Sequence, residues 1–239
     1  MAGETVKSEA ICLSSSPWSM TSHVVSWLTP AGRVATVAKG AARPKSFLLG
    51  QYDLNYTCEI VYYARARGDV HALRECSPLV RRDALRGDYR AMALAGYFRL
   101  LAGSFAPHGP ECAAWVSALA EALDRLCERA SGGGAGECSG LVSHLLRFEL
   151  DALHLLGLSP EIEAESGGFS LSGERRIPVS PDVAAYIRDP TRPVKYPQTP
   201  LDAARVIGVF YRFHADCASD VRRTVLGMIS KSREGIDWK

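Results

Sequence analysis

No apolar run in the 239 residues approaches the ~18 that a membrane-spanning helix needs, and the first ten residues carry charges where a secretory leader needs an apolar core. The expectation is a cytoplasmic protein with no membrane partner. Close cysteine pairs are missing too: the seven cysteines are scattered from Cys12 to Cys217, an odd set that reads as buried free thiols rather than a disulfide framework. There is no Cys-x-x-Cys, no His-Glu-x-x-His and no His pair three or four positions apart, so zinc finds no ligand set. His144 and His154 lie ten positions apart, off a common helical face, and are expected as core or surface side chains. Bulk charge offers no handle either, with 28 Lys and Arg against 26 Asp and Glu. The 47% hydrophobic and 23% charged composition is that of a folded globular chain, which excludes disorder and fibrous repeats.

One deficit is local. Between Ala10 and Tyr52 there is no acidic residue, while Arg33, Lys39, Arg43 and Lys45 supply four positive charges. This stretch lies within a strand-rich start. From Leu54 to Tyr63, Leu54, Tyr56, Cys58, Ile60 and Tyr62 share one parity and Asn55, Thr57 and Glu59 the other, the alternation of a half-buried strand. Val6–Leu13, Ser22–Thr29 and Arg33–Lys39 precede it, and Val70–Glu75 follows after the Arg67-Gly68-Asp69 turn. Five short strands with no crossover helix predict a small antiparallel barrel over residues 1–80.

Near Pro78 the apolar period changes from two towards 3.6, so residues 81–239 are expected to be helical. Leu85, Tyr89, Met92, Gly96 and Leu100 mark a first helix face. Trp115, Leu119, Ala122, Leu123 and Leu126 mark a second, and Leu141, Leu145, Phe148, Ala152 and Leu155 a third. Six of thirteen prolines fall between Pro178 and Pro200, which predicts an irregular connector over 160–200 with a turn or two of helix near Asp182–Arg188. Thr199-Pro200-Leu201-Asp202 reads as an N-cap and first turn, with Val206, Val209, Phe210, Phe213 and Cys217 on the helix beyond and a last helix over Asp220–Lys231. The fold class is therefore α+β.

The acid-free segment carries the functional expectation. On a strand rising ~3.3 Å per residue, Arg33 and Lys39 share parity about 20 Å apart and would meet different phosphates of a bound nucleic acid, with Arg43 and Lys45 extending the stripe. Trp18, Trp27, Phe47 and Tyr52 would offer stacking faces to unpaired bases. The plain alternative is a basic hairpin that keeps an edge soluble, which leaves a barrel that serves only as a protein-interaction scaffold. A third class rests on Gly136-Glu137-Cys138-Ser139-Gly140, which matches the nucleophile-elbow spacing and would make Cys138 a hydrolase nucleophile. That elbow needs a preceding strand in a parallel sheet, whereas a helix and a glycine run precede it here, and a helix start with a buried thiol fits better. The Gly132–Gly134 run lacks the Gly-Lys-Ser/Thr ending of a phosphate loop.

Val37-Ala38-Lys39-Gly40-Ala41-Ala42-Arg43-Pro44-Lys45-Ser46 resembles the signature of the RecO family of bacterial recombination mediators. Glu9–Leu13, Val24–Gly32, Gly68–Glu75 and Leu155-Leu156-Gly157-Leu158-Ser159-Pro160 resemble other parts of that family in the same order. The resemblance implies an N-terminal OB-fold followed by a helical domain, and a cytoplasmic, nucleoid-associated mediator of DNA repair rather than an enzyme. It further implies binding to single- and double-stranded DNA, annealing of complementary strands, and work with RecR to load RecA on strands coated by single-stranded DNA-binding protein (SSB), whose C-terminal tail is a partner. By motif position Lys39, Arg43 and Lys45 would contact DNA; Arg33 is added by the parity argument. Many family members carry a four-cysteine zinc site after the central helix, but Glu161 to Ser180 holds neither Cys nor His, so no cofactor is expected and Phe169-Ser170 would mark a metal-free remnant of that hairpin.

Overall fold

A computed structural model describes residues 4–65, 68–132, 138–163, 168–171, 175–214 and 218–230. Strands β1 (Glu4–Ser19), β2 (Ser22–Thr29), β3 (Gly32–Ala38), β4 (Thr57–Ala64) and β5 (Val70–Val80) close into a barrel in the order β1-β2-β3-β5-β4. Strand directions can alternate all the way round a ring only when the strand number is even. Five strands leave one parallel pair, and it is β3 with β5; the other four neighbour pairs are antiparallel. Two strands outrun their sequence patterns. β1 continues past Leu13 because it serves two neighbours, pairing Glu4–Ile11 with β4 and Ile11–Ser19 with β2. β5 continues past Glu75 through Pro78, which cannot donate to a ladder and sits beside the register shift opposite Thr57/Cys58.

The barrel interior is filled by Ala10, Val25, Trp27, Ala38, Leu48, Ile60 and Leu73 together with three thiols, Cys12, Cys58 and Cys76. Trp27 is fully buried because its indole N–H has a partner inside, Thr36 Oγ1 at 2.8 Å. Cys58 and Cys76 Sγ each lie 3.6 Å from the Gln51 carbonyl oxygen. Burial pushes the Cys12 thiol up to about 12, and the hydrogen bond with Cys58, with burial, raises Cys76.

Helices α1 (Tyr89–Phe105), α2 (Cys112–Ser131) and α3 (Cys138–Leu155) follow, and a short 3-10 turn at Asp83–Gly87 precedes them. Met1–Asp83 with Arg99–Asp124 forms one compact unit, and Ala84–Phe98 with Arg125–Lys239 a second. In the first unit Arg82 is buried and ties the barrel to α2. Its Nη1 donates to the Asn55 carbonyl (2.6 Å) and to Thr57 Oγ1 (3.0 Å), and its Nε to Asp124 (2.7 Å). The expected faces of α2 and α3 are the buried ones, apart from half-buried Leu155. That of α1 is not: Tyr89 and Leu100 are exposed, and Ala91, Leu94, Ala95, Tyr97, Phe98, Leu101 and Ala102 are buried. A helix covered on most of its sides has no single apolar stripe to read.

Beyond α3, β6 (Glu161–Glu163), β7 (Gly168–Leu171) and β8 (Arg175–Pro178) form a three-stranded antiparallel sheet with Phe169 and Ser170 paired on both sides. Backbone pairing holds this segment, and with neither Cys nor His from Glu161 to Ser180 it offers no thiolate or imidazole set that would fit a zinc ion. Then come α4 (Pro181–Arg188), capped by Ser180 Oγ accepting from Val183 N–H, α5 (Thr199–His214) and α6 (Ser219–Ile229). Thr199 is the first residue of α5 rather than its cap, since the Asp202 N–H already bonds the Gln198 carbonyl (3.0 Å). Of the face expected on α5, Phe210 is buried and Val206 and Val209 are half-buried. Ala203, Ala204, Ile207 and Tyr211 complete the inner side, while the Phe213 and Cys217 side chains lie outside the described residues. Tyr211 turns inward because its hydroxyl reaches the Glu149 carbonyl (3.0 Å).

Candidate nucleic-acid interface

The loop after β3 is anchored on the turn between β1 and β2 by two backbone donors. Gly40 N–H reaches Ser22 Oγ (3.1 Å) and Ala42 N–H reaches the Thr21 carbonyl (3.0 Å). Gly40 takes φ +64°, the left-handed region that favours glycine, so the chain folds back and Arg43 N–H closes onto the Gly40 carbonyl at 3.1 Å. This reversal sets Lys39 and Arg43 on one cavity of about 350 Å3, with Trp18, Ser19, Ser22, Val37 and Gly40 as its other walls. Lys45 is exposed on the next turn, where Ser46 N–H bonds the Arg43 carbonyl (2.9 Å). None of the three cations has an acidic partner among the described residues.

Arg33 does not join them. It lies at the opposite end of β3, roughly 20 Å away at ~3.3 Å per residue. Its guanidinium donates to the Gly103 carbonyl near the end of α1. Of the four aromatics expected to stack, Trp18 is 68% exposed and Phe47 71%. Trp27 is core, and Tyr52 is half-buried with its hydroxyl 3.0 Å from His23 Nδ1. Met20, at the tip of the β1–β2 turn and almost wholly exposed, escaped the sequence reading because nothing in its neighbours marks it.

Arginines of the helical part are mostly engaged. Arg222 is buried against Glu149 (2.7 and 2.9 Å), Arg90 is buried, and Arg99 donates to the Leu13 carbonyl. Arg125 lies 3.9 Å from Asp151, Arg129 3.3 Å from Asp88, and Arg223 2.8 Å from Asp220. A second cavity of about 360 Å3 opens between α5 and α6, bordered by Arg205, Val209, Arg212, Arg223 and Leu226. Cys138 opens α3; its side chain, with Gly136 and Glu137, lies outside the described residues. Among the described residues no three His, Cys, Asp or Glu side chains gather to hold a metal ion, and no helix is long and apolar enough to cross a membrane.

A closed five-stranded barrel in this order, leading into helices, makes this an OB-fold protein. The family model for the recombination protein O N terminal matches residues 1–80. A protein of Roseiflexus sp. (strain RS-1) named DNA repair protein RecO is 26% identical over 221 residues, which cover 74% of this chain and 76% of that one. Another of the same name, from Desulforudis audaxviator (strain MP104C), is 31% identical over 136 residues, 57% of this chain and 50% of that one. Over residues 1–80 the chain matches the N-terminal domain of the RecO family, and it is similar to these two members along much of its length.

Proposed function

We propose that this protein serves DNA repair and recombination as a non-enzymatic mediator that holds the DNA backbone on the barrel at Lys39, Arg43 and Lys45. The observation that carries the reading is the cation cluster without acidic partners, on the acid-free segment of a family whose relatives bear the name DNA repair protein. Cations that are not neutralised internally exchange the counterions of phosphates, and the released ions drive binding. The same charges screen repulsion between two strands, so single- and double-stranded DNA both bind and annealing needs no covalent step. The similarity to RecO proteins further supports cooperation with RecR in loading RecA on SSB-coated strands at the nucleoid. For the SSB tail, an acidic peptide with an apolar end, the α5–α6 cavity offers Arg212 beside Val209 and Leu226, with Arg205 and Arg223 paired to Asp202 and Asp220 at its border.

Titration of a labelled oligonucleotide at several salt concentrations tests the interface. At ~0.7 per single-strand phosphate contact, three contacts give a log–log slope of roughly −2, hence about a twentyfold loss between about 50 and 200 mM salt. Changing Lys39, Arg43 and Lys45 together to Ala should flatten that slope, whereas Arg33→Ala should leave it nearly unchanged. Unaltered binding by the triple variant rejects the interface and favours the protein-only scaffold.

A further inference from the structure

Trp18 is the observation that phosphate binding leaves unexplained. A tryptophan is usually well covered, since its large apolar ring costs free energy in water. Here two-thirds of the residue is exposed, on a β1 segment between Pro17 and Ser19 where the register with β2 shifts. The ring also walls the same cavity that Lys39 and Arg43 border, and Gly40 adds no side chain to fill it. An indole face, an ammonium and a guanidinium around about 350 Å3 match the two halves of a nucleotide: a flat π-system and an anionic phosphate. Val37 supplies an apolar wall, and Ser19 and Ser22 a polar edge.

Resting on the DNA-binding reading above, we propose that this cavity is a nucleobase subsite: one unpaired base lies against the Trp18 indole while Lys39 and Arg43 hold the phosphates beside it. A duplex cannot present that base, because its faces are covered by neighbouring pairs. The cations thus bind any strand, and Trp18 adds a preference for the single-stranded form. The preference is tolerant of sequence, since every base has a face to stack and nothing on the cavity wall is required to read its edge.

The test separates base from backbone with the full chain. Affinities are measured at one salt concentration for a short oligothymidylate, for an abasic strand of equal phosphate number and for a duplex of equal length. The unaltered protein should favour the oligothymidylate over the abasic strand by about tenfold. Trp18→Ala should bring the two strands to equal affinity while keeping the salt slope, and Trp18→Phe should retain much of the preference. Near-UV circular dichroism from buried Trp27 and Trp115 reports that each variant is folded. Equal affinity of the unaltered protein for the two strands overturns the subsite while leaving the phosphate interface standing, as does a preference that survives in a folded Trp18→Ala. If the unaltered protein binds none of the three in a salt-dependent way, the interface itself fails and the subsite with it.

Discussion

At His144 on α3 the environment decides a protonation state. Burial, helped by the guanidiniums of Arg125, Arg129 and Arg147, holds its pKa down to about 4. An unfolded chain restores the ordinary value near 6.5, so between these limits the unfolded state takes up a proton that the folded state refuses. The contribution of His144 to stability is therefore complete above about pH 6.5 and is lost as pH falls through 4. Because the ring is only partly enclosed, we expect about 2 kcal/mol rather than the full linkage value. Urea denaturation at neutral and mildly acidic pH should show this loss in the unaltered protein and a shallower one in His144→Gln; identical pH profiles would remove the histidine from the account. Residue identity was a poor guide to such environments. Trp18 and Trp27 look alike in the sequence, yet the register shift at Pro17/Ser19 frees one from the alternation that carries the other inward to Thr36. Arg33 shared the parity of Lys39, but parity does not reveal that a helix end lies within reach of its guanidinium.

Between elements, the most demanding contact joins α3, α5 and α6. Glu149 is wholly buried and accepts two hydrogen bonds from Arg222 and one from the Tyr97 hydroxyl (2.8 Å). Arg222 also donates to the Ala204 carbonyl on α5 (2.8 Å), and Gly208 leaves room for it, since a Cβ there would run into the guanidinium. Removing one partner strands the other charge out of water. Glu149→Ala should therefore lower the unfolding free energy by about 3–5 kcal/mol, and adding Arg222→Met should recover part of the loss, because two absent charges cost less than one unpaired. Denaturant titration of the three variants checks it; a double variant as unstable as Glu149→Ala would show that the charges are not coupled. Element order and type were legible wherever one face meets water and the other meets core, as on α2 and on β4 from Cys58 to Tyr63. The strand expected from Leu54 begins only at Thr57, and Asn55 and Thr57, placed on the outer parity, are buried. The phase of α1 and the inner side of α5 were not, because nearly all-round burial erases the stripe and a buried tyrosine looks polar by sequence. The cation loop was legible as composition, while its fold-back needed the left-handed glycine and the Ser22 anchor, which no periodicity encodes.

For the whole molecule, a net charge of +2 would suggest indifference to polyanions, and the prediction of DNA affinity rests on where the charges sit, not on their sum. Closure of the barrel places an equally local constraint on chemistry. Cys12, Cys58 and Cys76 are sealed inside a ring in which every strand is paired on both sides, so an alkylating reagent reaches them only when a seam parts. A thiolate is the reacting species: burial holds Cys12 protonated far above neutral pH and Cys76 is raised as well, while Cys58, lowered by its hydrogen bond with Cys76, is protected by enclosure alone. The rate at which these three sulfurs become labelled then counts how often the barrel breathes, and bound DNA that bridges the β1–β2 turn to the loop after β3 should slow that clock, read peptide by peptide in a mass spectrometer.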